Sequence, residues 1–157
     1  MEQIQFMDWQ LEVDAVETGR AHAARESGGP EECGCLHCRN LAAARDLAYP
    51  RQFVELLGRL GIPENRESEV YHCGEIEPGL HFYGGWFHFV GRMVTGPESH
   101  TGGPTGGPVE LTDLSERFSV GFTRQIALVP SSFPSGSIGQ IEFAAKVPWV
   151  LSEPCTG

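Results

Sequence analysis

The sequence predicts an α+β fold, a single antiparallel sheet of about five strands with two helices packed on one face. Three observations predict it. Apolar and polar residues alternate with period two in several separate stretches, helical periodicity is confined to residues 36–60, and turns rather than helical crossovers join the later strands. The chain of 157 residues is the usual size of one domain, and residues 1–157 are read as one.

The first strand is expected over residues 7–15. Met7, Trp9, Leu11, Val13 and Ala15 fall on one face, against Asp8, Gln10, Glu12 and Asp14 on the other. Residues 17–34 are polar, contain Ser27-Gly28-Gly29-Pro30 and read as a long loop. Residues 36–48 are rich in Leu, Ala and Arg and predict a helix. Tyr49-Pro50 interrupts it, because a residue before proline avoids helical angles. Pro50 then suits the first turn of a second helix, in which Phe53, Leu56, Leu57 and Leu60 form one apolar stripe. Gly61 is placed to cap it, and Pro63 blocks its continuation.

A strand over residues 68–76 leads through the turn Glu77-Pro78-Gly79 into a strand over 80–94. Trp86 and Val90 lie on one of its sides and Phe87, Phe89 and Met93 on the other, the pattern of a central, covered strand. Residues 95–111 hold two Gly-Gly-Pro repeats, and mobility is expected over 97–108. Two further strands are expected. In 117–129, Phe118, Val120, Phe122, Ile126 and Leu128 share a face; in 140–150, Ile141, Phe143, Ala145, Val147 and Trp149 do, with an edge or an end at Pro148.

Hydrophobic residues make up 40% and charged residues 20%, a globular balance. The net charge of −10 is spread evenly, with 10 acids against 6 Arg in residues 1–60 and 11 acids against 5 bases in the remainder. Such a surface repels phosphate backbones and anionic lipid, so neither nucleic acid nor membrane is expected as a partner. The first residues have neither the basic region nor the apolar core of an export signal, and no apolar run reaches the ~20 residues of a membrane span. The expectation is a cytoplasmic protein in a reducing compartment, with its five cysteines as thiols or metal ligands.

The densest cluster of ligand-type residues is Cys33-Gly34-Cys35-Leu36-His37-Cys38. Cys35 and Cys38 have CxxC spacing at a helix start, where free N–H groups and the helix dipole favour thiolate. Zinc binding and redox chemistry both need that thiolate. One CxxC supplies two ligands where zinc takes four, or three plus water. Cys33 is the candidate third, and His37, His22, His72 or Cys73 the fourth. Against this stands plain packing of small thiols, and Glu31 and Glu32 disfavour a reactive thiolate. His72 and Cys73 are expected on opposite faces of their strand, as are His81 and His88. Cys155 is expected to be exposed and incidental. The run Tyr83, Trp86, Phe87, His88 and Phe89 reads as sheet core, with a ligand shelf as the alternative. Ser135-Gly136-Ser137-Ile138-Gly139 does not match a nucleophile elbow, and neither glycine repeat carries the lysine of a phosphate loop.

Cys35-x-x-Cys38-x-Asn40, Tyr49-Pro50, Leu60-Gly61-Ile62, Glu69-Val70 and Tyr83-Gly84-Gly85-Trp86-Phe87-His88-Phe89-Val90-Gly91 together resemble a group of small bacterial proteins of uncharacterised activity. The resemblance spans residues 35–91. It implies that the cysteine pair, Asn40 and the Tyr-Gly strand belong together; it implies no activity, fold or cofactor, and leaves Cys33 outside the pattern.

Three readings follow. The first is a non-enzymatic domain with a zinc site drawn from Cys33, Cys35, Cys38 and His37. The second is a thiol–disulfide protein using Cys35 and Cys38. The third is a ligand- or partner-binding module using the strand over 83–89.

Overall fold

A computed structural model of the protein describes residues 1–102 and 109–155. In chain order the elements are β1 (Glu2–Phe6), β2 (Trp9–Val13), α1 (Ala15–Ala23), α2 (Gly29–Cys33), α3 (Leu36–Ala48), α4 (Arg51–Leu60), β3 (Glu69–Glu77), β4 (Leu80–Thr95), β5 (Thr112–Ser115), β6 (Phe118–Thr123) and β7 (Ile138–Pro148). The α+β class and the antiparallel sheet are as expected. The described residues hold seven strands and four helices, however, rather than five and two.

The additional elements bury little apolar surface. β1 buries only Ile4, and β5 is a four-residue strand on the opposite border of the sheet. α1 and α2 occupy most of the expected loop. α1 buries Thr18, Ala21 and His22, so no apolar stripe marks it. It starts where the Asp14 carboxylate accepts the Glu17 N–H at 3.0 Å, a cap that satisfies an otherwise free helix donor.

The sheet runs β1-β2-β4-β7-β6-β5, with β3 also on β4, and every pairing is antiparallel. β4 is its axis. β7 follows it from Leu80 to Val90, β3 pairs with Leu80–Trp86 and β2 with Gly91–Thr95. β7 ends at Pro148, where the missing N–H would stop the ladder.

α3 and α4 meet at Tyr49-Pro50, and α4 starts at Arg51 with Pro50 as its cap. Its stripe is fully buried: Phe53 lies 4.5 Å from Phe118 and 5.9 Å from Phe87, ring centre to ring centre. Gly61 ends α4 at φ +82°, and a Cβ there would stand 2.2 Å from the Ala15 carbonyl oxygen, so both backbone and space require glycine.

Two expectations need correction. The strand over 117–129 ends at Thr123; Ile126 and Leu128 are exposed, because the chain leaves the sheet there to cross its second face. On that face the Trp86 indole donates to the Ala127 carbonyl. The expected mobile stretch begins anchored: the Trp9 indole donates to the Pro97 carbonyl at 2.8 Å, and Ser99 is buried with its N–H on the Phe122 carbonyl. Residues 103–108 of that stretch lie outside the described residues. Among the described residues no helix is long and apolar enough to cross a membrane.

Candidate metal centre

The corner between α2 and α3 brings the cysteines together. Gly34 adopts the left-handed conformation at φ +67°, and its N–H closes α2 on the Pro30 carbonyl. The chain therefore turns sharply between Cys33, the last residue of α2, and Cys35, the cap of α3. Cys38 follows one turn later. The three Sγ atoms lie within 4.8 Å of one another, a set that can hold a metal ion. Cys33 and Cys35 are exposed and Cys38 is buried.

The two motif cysteines differ electrostatically. The Cys38 backbone N–H points at Cys35 Sγ, 3.5 Å away, and this donor leads the contributions that lower the Cys35 pKa. Burial, followed by the neighbouring Cys35 and Cys33 sulfurs, raises that of Cys38. The acids that argued against a thiolate are partly neutralised: Glu31 binds the Arg45 guanidinium through both oxygens, at 2.8 and 3.0 Å.

His37, expected as a ligand beside the cysteines, is placed elsewhere. Its ring stacks on His72 with centres 3.8 Å apart and planes 4° from parallel, and its Nε2 is 3.4 Å from Cys155 Sγ. A helix residue between Cys35 and Cys38 projects along a different direction from either, and here that direction leads to β3. His72 Nε2 is 2.8 Å from His81 Nδ1. Burial first, then the His37 and His81 rings, lower the His72 pKa. His22 and Cys73, considered as fourth ligands, belong to neither group. Cys155 is half-buried against His37 rather than free at the surface.

Asn40 organises this region. Its Oδ1 accepts the Val150 N–H at 2.7 Å, and its amide donates to the Pro148 carbonyl and the Tyr83 hydroxyl. Tyr83 in turn donates to the His37 carbonyl at 2.7 Å. The first turn of α3, Asn40 and the Tyr-Gly strand are thus in contact, and the segment after β7 is fastened across them.

On the other sheet face a second histidine pair is buried. His88 Nε2 lies 2.9 Å from Gln140 Oε1, which also accepts the Ala127 N–H, so this ring nitrogen donates. Nδ1 then accepts the Ser68 hydroxyl at 2.6 Å, and His22 Nε2 donates to the His88 carbonyl. Desolvation lowers the pKa of both histidines to about 4, so both are neutral at pH 7. Of the aromatic run, Tyr83, Phe87, His88 and Phe89 are buried in the core, and Trp86 on the second face is half-buried.

Compared with models of known protein families, with curated proteins and with solved structures, the chain matches none.

Proposed function

We propose that the chain is a non-enzymatic zinc-binding domain whose ion is held by the Cys33, Cys35 and Cys38 thiolates. The convergence of the three sulfurs within 4.8 Å of one another carries this reading. Tetrahedral zinc with Zn–S bonds of about 2.3 Å needs sulfurs about 3.8 Å apart, within reach of small side-chain rotations from this arrangement. The Cys38 N–H that stabilises negative charge on Cys35 prepares one ligand, and the metal itself would deprotonate Cys38. Bound there, zinc ties the short helix α2 to α3. Since Cys33 and Cys35 face solvent, the fourth position is open to water or an external donor. The net charge of −10 argues against polyanions as partners.

A redox reading has its own supporting observation. An exposed Cys35 with a lowered pKa beside a buried Cys38 with a raised one is the asymmetry of an attacking and a resolving thiol. Cys35 thiolate would attack a substrate disulfide and release one of its thiols; Cys38 would then displace the other, leaving a Cys35–Cys38 disulfide and a reduced substrate. Metal analysis with a thiol count separates the two. Zinc retained after desalting and reduced in Cys35→Ser is expected, with the Cys33, Cys35 and Cys38 thiols reactive only after chelation. A metal-free protein that cycles through a Cys35–Cys38 disulfide would establish the redox reading instead.

A further inference from the structure

We propose a second metal site, formed by His37, His72 and Cys155, that takes a divalent ion of the zinc class. The donors come from three separate stretches: the first turn of α3, the middle of β3 and the segment beyond β7. Their ligand atoms all lie within 4.8 Å of one another. Two imidazoles and a thiolate are a donor set for zinc and similar borderline-soft metals, and leave a fourth position for water.

Each donor is held by its own support. The Tyr83 hydroxyl grips the backbone of His37, and the Asn40 clamp on Val150, with the Trp149 indole donating to the Glu153 carbonyl at 2.7 Å, fixes the approach to Cys155. His72 has the partner that a ligating imidazole ordinarily requires for its other nitrogen, His81 at 2.8 Å.

An independent observation concerns His81, which is 1% exposed. Among the described residues its Nε2 makes no hydrogen bond, and Glu75 Oε2 stands 3.4 Å away. A buried unpaired ring nitrogen is unfavourable. It adjoins a cleft of about 470 Å³ lined by His72, Glu75, His81, Trp149 and Cys155. With His72 Nε2 donating to His81 Nδ1, the His81 Nε2–H needs an acceptor, and a hydroxide or other anionic ligand on an ion in that cleft would supply it. The His37 and His72 rings are stacked, so metal binding would rotate one of them to make two ring nitrogens converge; both are half-buried, and His72 lines the cleft.

This site stands apart from the three-cysteine centre, although the first turn of α3 serves both. The test is zinc stoichiometry by mass spectrometry on full-length protein, stripped with chelator, reloaded under reductant and desalted, with circular dichroism confirming the fold of every variant. Wild type should retain about two equivalents, and His72→Gln and Cys155→Ser about one each. Cys155 is half-buried, so its replacement by the near-isosteric serine is the milder change should His72→Gln prove unstable. Stoichiometry unchanged in both variants would overturn the second site and leave the three-cysteine site standing. Zinc unchanged in the Cys33→Ser/Cys35→Ser double variant would remove the three-cysteine site alone. Loss of all zinc in both sets would mean one shared centre and would also overturn the proposal.

Discussion

Glu67 is a carboxylate with no exposed surface, and its neighbours explain how it remains there. The Arg45 guanidinium binds it at 2.8 and 3.0 Å while also holding Glu31, and the Tyr49 hydroxyl donates to it at 2.5 Å. Burial opposes charge on Arg45, but its hydrogen bonds to Glu67 and Glu31 prevail and raise its pKa. Arg45→Ala should therefore destabilise by about 3–5 kcal/mol in urea unfolding, because it leaves a buried charge unpaired. Arg45→Met with Glu67→Gln should lose much less; equal losses would mean that the pairing is not what matters. The buried histidines set a pH dependence. His22 and His88 have pKa values near 4 when folded, against about 6.5 when unfolded, so the unfolded chain takes up protons first as pH falls. Their contribution is complete above pH ~6.5 and is lost between there and pH ~4, on the order of 3 kcal/mol for each ring. Unfolding free energies at pH 7 and pH 4.5 should show the drop, and His22→Gln should shrink it. At this scale the cysteine triad was readable, since three ligands within six residues announce themselves. His72 was named only as a candidate for the cysteine centre, and its grouping with His37 and Cys155 was not readable, because the three are distant in sequence and only folding brings them together.

Among the elements, α4 shows how far periodicity reaches. Phe53, Leu56, Leu57 and Leu60 recur at helical spacing, and each is at most 1% exposed. Leu57→Ala should cost about 2–5 kcal/mol of stability, measured by denaturant titration; a loss below ~0.5 kcal/mol would contradict the packing. β4 and β7 were equally readable, whereas of the strand expected over 7–15 only Trp9–Val13 forms, since Met7 lies in the turn after β1 and Ala15 begins α1. α1 was hidden because it buries threonine and histidine in place of leucine, so the hydrophobic pattern is silent. A local signal did exist: Asp14 followed three residues later by Glu17 is a capping pattern, here overshadowed by the strand alternation that Asp14 also completes. α2 carries a similar mark, proline in its first turn and Gly34 just past its end. The strand expected through Leu128 failed for a tertiary reason, since nothing in the alternation of Phe118, Val120 and Phe122 says where pairing with β7 stops.

At the scale of the molecule, the two-sided apolar pattern of β4 foretold its central position, whereas the order of the strands around it had no trace in the sequence. Strand order depends on pairings between distant segments, which local patterns do not encode. Zinc binding at the α2–α3 corner would act on the whole molecule, because the ligands converge only in the folded state. A chelator should lower the melting temperature of zinc-loaded protein, and Cys38→Ser should do the same. A midpoint insensitive to chelator but shifted by dithiothreitol would point to the disulfide chemistry. The Asn40 clamp has a mechanical meaning as well. Its contact with Val150 joins residues 110 apart, and the Cys155–His37 contact joins residues 118 apart, so most of the polypeptide lies inside these closures. Tension applied to the two chain ends would reach this fastening from the C-terminal side before it reached β7. An ion at His37, His72 and Cys155 would turn a fastening of hydrogen bonds into one of coordinate bonds, and the force needed to pull the chain open would then report metal occupancy.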